Sequence, residues 1–239
     1  MQLAYSFKEK TIICKKAKVY FLRQRGAYSK GKNNWCLKRK FINILEILFD
    51  DTDIVISDGE GVCVDTRAPS SGSQFGRRVD VLVSVGEQDN AISLASFEAK
   101  REDAAISTQI YQQAKNHRTN AGILNRFNCL LHSNTSDVVY IDLVGPSGYL
   151  VQIRRHDEYF ICQSLGDFHI PTELIELDFL EGFLTTIYAW KAWIVERSAQ
   201  LKKAQKSKKK SKFSMVETVV TPNERVSEHM NPTNIHHSP

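Results

Sequence analysis

Residues 77–100 read RRVDVLVSVGEQDNAISLASFEAK, and this stretch decides the fold class. Valine occupies every second position from Val79 to Val85, which is typical of a β-strand with one apolar face. The polar segment Gly86–Asn90 follows, and a second alternating run extends from Ile92 to Lys100. We predict that the two runs form a β-hairpin closed by the polar segment.

The register of this hairpin predicts which charged side chains meet. A symmetric five-residue loop places Val85 opposite Ala91 and Asp80 opposite Ser96. Even-numbered side chains of both strands then share a face, and Glu98 is the diagonal neighbour of Asp80, with backbones roughly 7–8 Å apart. Two carboxylates at this separation can converge on a hard divalent cation such as Mg²⁺ or Mn²⁺, which prefers oxygen ligands.

Lys100 lies on the same face as Glu98, because side chains alternate along a strand. A bound divalent ion would polarise a phosphate ester and lower the pKa of a bound water. The Lys100 ammonium could orient that water or stabilise charge that develops on the phosphate. The alternative for Glu98 and Lys100 is an ion pair on a solvated face, which contributes little to stability.

Further helices and strands are predicted around the hairpin. Apolar residues recur at intervals of three and four from Leu37 to Leu48, which predicts an amphipathic helix over residues 36–49. Asp103 is a candidate cap for a helix that runs to about His117, with Gly122 near its end. The remaining predictions are a strand or hairpin from residues 54–56 and 62–64, a second hairpin from 138–144 and 149–153, a strand at 159–163, and a long helix from 177 to about 200. Together they predict an α/β fold with a mixed central sheet flanked by helices.

Composition places the chain among ordinary globular proteins. It has 239 residues, of which 42% are hydrophobic and 25% charged. The sequence has neither a secretory signal nor an apolar run of about eighteen residues, so we expect an intracellular protein that does not enter a membrane. Its five cysteines include no C-x-x-C pair, which favours reduced thiols over a disulfide framework or a zinc site.

Charge is segregated along the chain. Residues 1–40 carry a net charge of +11, residues 41–201 carry −11, and residues 202–239 carry +5. We divide the chain into a basic N-terminal arm (1–35), a folded domain (36–201) and a disordered lysine-rich tail (202–239). The seven lysines from Lys202 to Lys212 are candidates for a nuclear-import signal or a nucleic-acid contact, and the alternative for them is a solvated terminus.

The charged residues of the first hairpin resemble a known motif. Asp80, seventeen intervening residues and the tripeptide Glu98-Ala99-Lys100, on a hairpin between two helices, look like the signature of the PD-(D/E)xK nuclease superfamily, with Val79 in place of the motif's proline. The resemblance covers residues 36–165 and implies a restriction-endonuclease-like fold. It also implies that Asp80 and Glu98 bind catalytic Mg²⁺ or Mn²⁺ and that Lys100 is the catalytic lysine.

The resemblance implies roles for residues outside the hairpin as well. Many members of the superfamily add a carboxylate from the preceding helix, and Glu46 is the candidate metal ligand there. Some exonuclease-like branches place a glutamine on the following helix, which makes Gln109 and Gln113 candidate catalytic residues. Neither of them begins a Gln-x-x-x-Tyr motif.

The function that this resemblance implies is metal-dependent hydrolysis of phosphodiester bonds in nucleic acid, with DNA favoured over RNA. Arg77, Arg78 and Arg101 lie near the motif in sequence and are candidate phosphate contacts, or else ordinary solvated arginines. Two other functions stay open. One is a catalytically inactive module of the same fold that binds nucleic acid or a protein partner, and the other is a structural interaction protein with solubilising basic ends.

Overall fold

The computed structural model describes residues 34–59, 62–66, 76–87, 90–133 and 136–220 of the chain. The predicted basic arm lies outside the described residues except for positions 34 and 35, and so do residues 221–239. Within the described ranges the chain forms three α-helices, α1 (Asn34–Phe49), α2 (Ile106–Leu131) and α3 (Leu180–Val220), and two short 3-10 helices, Val64–Thr66 and Leu174–Phe179.

Nine β-strands accompany these helices in the described part of the chain. They are β1 (Ile54–Asp58), β2 (Val62–Cys63), β3 (Arg77–Arg78), β4 (Val81–Val85), β5 (Ile92–Phe97), β6 (Ala99–Lys100), β7 (Asp137–Val144), β8 (Ser147–His156) and β9 (Tyr159–His169). Three strands form an antiparallel sheet in the order β1-β4-β5, and β2 pairs with β3, so β1 and β2 do not form a hairpin with one another. Four more strands form a sheet in the order β6-β7-β8-β9, in which β6 and β7 are parallel. The predicted mixed α/β class is therefore confirmed.

The hairpin of β4 and β5 is present, but its register differs from the prediction. Val85 lies opposite Ile92, one residue beyond the predicted partner, and Ser96 lies opposite Leu82 instead of Asp80. A bulge between the pairs Val83–Ala95 and Ser84–Ser93 leaves one extra residue in β5. The loop and the bulge together shift the pairing by two residues. Because side chains alternate with a period of two, this shift leaves the even-numbered side chains near Asp80 on the predicted face.

The strand that returns from this hairpin changes its partner at Glu98. β5 pairs with β4 up to Phe97, and β6 pairs with β7 from Ala99 onward. The amide of Leu143 on β7 lies 3.3 Å from Glu98 O, and Gly145 N donates to Lys100 O at 2.8 Å. The two sheets are thus joined along one nearly continuous strand, with Glu98 at the junction.

Two buried asparagines of α2 bind β5 and β7 before that junction. The Asn120 side chain accepts a hydrogen bond from Ser96 N at 2.9 Å and donates one to Ser96 O at 3.0 Å. Asn116 Nδ2 donates to Ile141 O on β7 at 3.1 Å. Neither asparagine is exposed. The Asn120 amide therefore satisfies backbone groups of Ser96 that would otherwise be buried without a partner.

Helices cover both faces of the sheet at β5. Phe97 of β5 packs edge-on against Phe41 of α1, with ring centroids 5.6 Å apart, and Phe41 also contacts Phe183 of α3 at 6.4 Å. On the opposite face, Ser96 and Glu98 contact side chains of α2. Alternation along the strand assigns Phe97 to the apolar layer and Glu98 to the α2 layer, and burial of the apolar layer stabilises the fold.

Helix α2 extends to Leu131, far beyond its predicted end near His117. Its buried face contains asparagine and threonine as well as apolar residues, so the apolar periodicity that predicts the helix is interrupted. Gly122, predicted near the end of the helix, lies inside it. A side chain there would meet Asp65 O, which lies 3.0 Å from the position that a Cβ would occupy.

The chain divides into two units after Leu201. In the second unit, residues 202–220 are helical, whereas the sequence predicts disorder from Lys202. Lysine, alanine and glutamine, which make up most of residues 202–210, have high intrinsic helix propensities. Across the described ranges, no helix combines the length and the hydrophobicity that crossing a membrane requires.

Asn120→Ala should lower the free energy of unfolding by about 2–5 kcal/mol, because it leaves the buried N–H and C=O of Ser96 without partners. Urea denaturation of the purified protein measures the change. Asn125→Ala is the matched control, since Asn125 is an exposed asparagine of the same helix, and it should change the stability by less than about 0.5 kcal/mol. Equal effects of the two substitutions would contradict the role assigned to Asn120.

Candidate active site

Asp80 lies where the returning strand leaves β4 and joins β7. Its Oδ2 accepts a hydrogen bond from Ala99 N at 2.9 Å. Its backbone oxygen accepts a second hydrogen bond from Gly59 N, just after β1, at 2.8 Å. Asp80 therefore connects the end of β1 with the start of β6, and its carboxylate lies beside the backbone of the Glu98-Ala99-Lys100 tripeptide.

Glu98 is buried against α2, with only 3% of the residue exposed. Lys115 Nζ lies 2.8 Å from Glu98 Oε1 and is the cation that pairs with this buried carboxylate. Burial raises the pKa of Glu98 above its usual value, Lys115 opposes the rise, and the negative charge of Asp80 adds to it. Asp80 is thus close enough for its charge to affect the ionisation of Glu98.

Lys38 of α1 contacts the same group of carboxylates. Its Nζ lies 3.1 Å from Asp58 Oδ1 and 3.9 Å from Asp80 Oδ1. Asp58 ends β1 opposite Val81, and Arg39 Nη1 donates to Asp58 Oδ2 at 3.0 Å. The Lys38 ammonium therefore bridges Asp58, the last residue of β1, and Asp80, the residue before β4.

Lys100 points into a separate buried network. It is 2% exposed, and its ammonium forms an ion pair with Asp142 of β7, which is fully buried. Tyr149 Oη donates to Asp142 Oδ2 at 3.0 Å, and Asn116 Nδ2 lies 3.2 Å from Asp142 Oδ1. Burial, followed by the charge of Asp142, raises the pKa of Tyr149, so its hydroxyl stays protonated as a donor. Both oxygens of Asp142 are satisfied, which a buried ion pair requires to be stable.

The alternative of a solvated ion pair between Glu98 and Lys100 is therefore wrong. Both side chains are almost fully buried. Each pairs with a different residue, Glu98 with Lys115 and Lys100 with Asp142. Burying Glu98 and Lys100 costs desolvation free energy, so each of these charges needs the oppositely charged partner that it has.

The structure brings one of the other candidate residues to this network. Gln113 Nε2 donates to Tyr149 Oη at 3.0 Å, which links it to Lys100 through Asp142. Gln109 Nε2 instead donates to Ala104 O at 2.9 Å, in the segment before α2. Glu46 is exposed on α1 and lies eight residues after Lys38, which contacts Asp80. Eight residues correspond to about 12 Å along the helix axis. The structure thus does not place Gln109 or Glu46 with the converging carboxylates.

The three candidate arginines differ in their surroundings. Arg101 is exposed and forms two hydrogen bonds with Asp103, at 2.8 and 2.6 Å. Arg78 is exposed on β3, and Arg77 is partly buried with no hydrogen-bond partner for its Nη1. A phosphate would have to compete with Asp103 for Arg101.

The oxygen donors beside the strand junction fit a hard divalent cation. Glu98 supplies a buried carboxylate, and the carboxylate of Asp80 accepts a hydrogen bond from the adjacent Ala99 amide and is close enough for its charge to raise the pKa of Glu98. Mg²⁺ in proteins is held by one or two carboxylates and completes its shell with water and substrate oxygens. Among the described residues, no three His, Cys, Asp or Glu side chains form a metal-binding group by themselves. Asp80 and Glu98 would supply the one or two carboxylates by which proteins hold Mg²⁺.

Comparison with known proteins adds no family assignment. A scan against protein-family models, a search of curated proteins and a search of solved structures found no match to this chain.

Three residues of the site, Lys38, Lys115 and Asp142, are not among those predicted from the sequence. Asp142 is the single carboxylate in the otherwise apolar run 138–144. A buried acid in such a strand needs a cationic partner, so this pattern is a sequence signal for Asp142. Lys38 and Lys115 lie on amphipathic helices among other polar residues. No pattern in the sequence distinguishes them from solvated lysines.

Glu98→Gln should stabilise the metal-free protein at neutral pH. Because the pKa of Glu98 is raised in the folded state, the unfolded state loses this proton first as the pH rises through the ordinary value of 4.5, and the wild-type protein becomes less stable. The glutamine variant lacks this loss. The difference in free energy of unfolding should be small below pH 4.5 and should grow as the pH rises to the raised pKa.

Urea unfolding in EDTA at several pH values measures that difference. Glu46→Gln, which removes an exposed carboxyl of α1, is the control and should show no comparable pH-dependent gain. A Glu98→Gln variant that is less stable than the wild type at neutral pH would contradict the assigned direction.

Proposed function

We propose that this protein is a metal-dependent nuclease of the restriction-endonuclease-like type, which hydrolyses phosphodiester bonds in nucleic acid, with DNA preferred to RNA. The observation that carries the proposal is the position of Asp80 and Glu98 at the strand junction, where the Asp80 carboxylate accepts a hydrogen bond from Ala99 N and its charge adds to the burial that raises the pKa of Glu98. Like charges held together in a partly buried site are unfavourable without a cation, and such perturbed groups concentrate at functional sites.

The position of these residues in the fold supports the proposal. The hairpin that carries them follows α1 and precedes α2, as the resemblance to the PD-(D/E)xK nuclease superfamily requires. It lies in the antiparallel sheet β1-β4-β5, which continues through Glu98 into the mixed sheet β6-β7-β8-β9, and helices pack on both faces of β5. Asp80, Glu98 and Lys100 stand in the order and spacing of the motif.

Asp80 and Glu98 are the residues that would hold Mg²⁺ or Mn²⁺. The ion, when bound, polarises the scissile phosphate and lowers the pKa of a bound water. The remaining steps fall to side chains of the chain itself. Lys115 is 30% exposed beside Glu98, so its ammonium is within reach of a phosphate and would stabilise the negative charge that develops on it.

We assign Lys100 a positioning role. Its side chain is 1% exposed, and its ammonium is held by Asp142. This ion pair ties β6 to β7 and fixes the backbone of the tripeptide whose Ala99 amide binds Asp80. Lys115 replaces Lys100, in this assignment, as the cation that contacts the phosphate.

One observation favours a second candidate function, a catalytically inactive module that binds nucleic acid at the same surface. Lys38 and Lys115 pair with Asp58, Asp80 and Glu98. If a divalent ion cannot displace these ammonium groups, the site would bind phosphate without hydrolysing it. A cleavage assay separates the two functions.

The purified full-length protein should cleave nucleic acid with Mg²⁺ or Mn²⁺ and not in EDTA, tested on single-stranded, double-stranded and branched DNA and on RNA. Asp80→Asn and Glu98→Gln should each lower the cleavage rate by at least about 100-fold, because each removes a charged ligand from the reacting centre. Glu158→Gln, at an exposed turn between β8 and β9, should leave the rate unchanged. Binding that persists without cleavage on every substrate would support the inactive module instead.

Lys115→Met should lower kcat by about 10²- to 10³-fold, and it should also weaken the metal-free fold because it leaves the buried Glu98 without its cation. Lys100→Met should destabilise the fold by about 3–5 kcal/mol, because it leaves Asp142 buried without a cation. The double variant Lys100→Met, Asp142→Asn removes that unpaired charge and should recover stability and retain more cleavage activity than Lys115→Met. If the stable double variant is inactive while Lys115→Met is active, Lys100 is the lysine that contacts the phosphate.

A further inference from the structure

One flank of α2 faces the proposed active site. Lys115, whose ammonium contacts Glu98, is followed three residues later by Arg118 and preceded four residues earlier by Tyr111. Residues three and four apart on a helix are neighbours, with Cβ atoms about 5–6 Å apart. Tyr111, Lys115 and Arg118 therefore form one stripe, which we call the α2 stripe, beside the converging carboxylates.

The charge of α2 suits a polyanion. Its 26 residues include Lys115, Arg118 and Arg126 and contain neither aspartate nor glutamate. Arg118 is exposed, and Arg126 has 44% of its side chain exposed. On α1, Lys38 contacts Asp80 and Arg39 contacts the neighbouring Asp58. Phosphates that approach Asp80 and Glu98 would therefore meet cationic side chains from two helices.

Tyr111 adds an aromatic surface to this cationic stripe. The residue is 67% exposed, one helical turn from the lysine that contacts Glu98. A large exposed aromatic side chain next to basic residues is the arrangement by which proteins bind single-stranded nucleic acid, since phosphates contact the cations and an unpaired base stacks on the ring. The base faces of a regular duplex are already stacked on each other and offer no such contact.

We propose that the α2 stripe binds single-stranded nucleic acid, with an unpaired base stacked on Tyr111 and the adjoining phosphates on Lys115 and Arg118. This inference rests on the proposed function, because it assigns the bound strand to the site that would cut it. It makes the substrate class a single strand, or a single-stranded part of a branched molecule, rather than a regular duplex.

The test measures binding without cleavage. Fluorescence anisotropy of a labelled oligothymidylate, an oligouridylate and a duplex of the same length is recorded with the full chain at low salt in EDTA. Tyr111→Ala should raise the Kd for a single strand by about 5- to 150-fold, the range that corresponds to the loss of one stacked base. Tyr111→Phe retains the ring and should stay within about twofold of the wild type.

Tyr159→Ala is the matched control. Tyr159 is 75% exposed and starts β9, at the end of its sheet opposite the turn that follows β7. Its loss should leave the Kd for the single strand unchanged, and Tyr111→Ala should leave the Kd for the duplex unchanged. Circular dichroism checks that both variants are folded.

The inference is overturned if Tyr111→Ala binds the single strand as tightly as the wild type, if Tyr159→Ala weakens binding as much, or if the wild type binds no single strand. These outcomes are distinct from failure of the proposed function. If single strands bind in a Tyr111-dependent way but no metal supports cleavage, the nuclease proposal fails and the binding role of the α2 stripe stands. If the Tyr111→Ala variant cleaves nucleic acid and binds single strands with unchanged affinity, the binding role of the α2 stripe fails and the nuclease proposal stands.

Discussion

The candidate site depends on a change of partner within one β-strand. The strand that returns from the β4–β5 hairpin leaves its antiparallel neighbour after Phe97 and pairs in parallel with β7 from Ala99. At the point of exchange the Ala99 amide would have no ladder partner, and the Asp80 carboxylate accepts its hydrogen bond. The same hydrogen bond that satisfies the backbone fixes Asp80 beside Glu98, so the architecture of the sheet and the convergence of the two carboxylates have one cause.

The charges around this junction are compensated by lysines from elements that are distant in sequence. Lys38 of α1 contacts Asp58 and Asp80, and Lys115 of α2 contacts Glu98. The pairing keeps a partly buried acidic group compatible with folding before any cation or phosphate arrives. A divalent ion that binds Asp80 and Glu98 would compete with these ammonium groups and release them toward phosphate, which connects the stability of the site with its proposed chemistry.

Local periodicity explains why the sequence predicts the hairpin and the shared face of Asp80 and Glu98. Alternation with a period of two is unchanged by a shift of two residues, so even-numbered residues of β4 and β5 still pair next to Asp80, although the partner predicted for Ser96 was wrong. The sequence could not predict the bulge, which depends on how β5 meets its neighbours. It also could not predict the length of α2, because Asn116 and Asn120 satisfy buried backbone groups and interrupt the apolar pattern. The lysine partners arise from tertiary packing alone, and they have no local signature.

The central claim is that Asp80 and Glu98 together bind a divalent cation at the strand junction. The most direct measurement is anomalous X-ray scattering from a crystal of the protein soaked in Mn²⁺. The account predicts a peak within coordination distance of carboxylate oxygens of both residues, with Lys115 displaced from Glu98. Mn²⁺ bound at other carboxylates while the Lys115–Glu98 pair stays intact would contradict it.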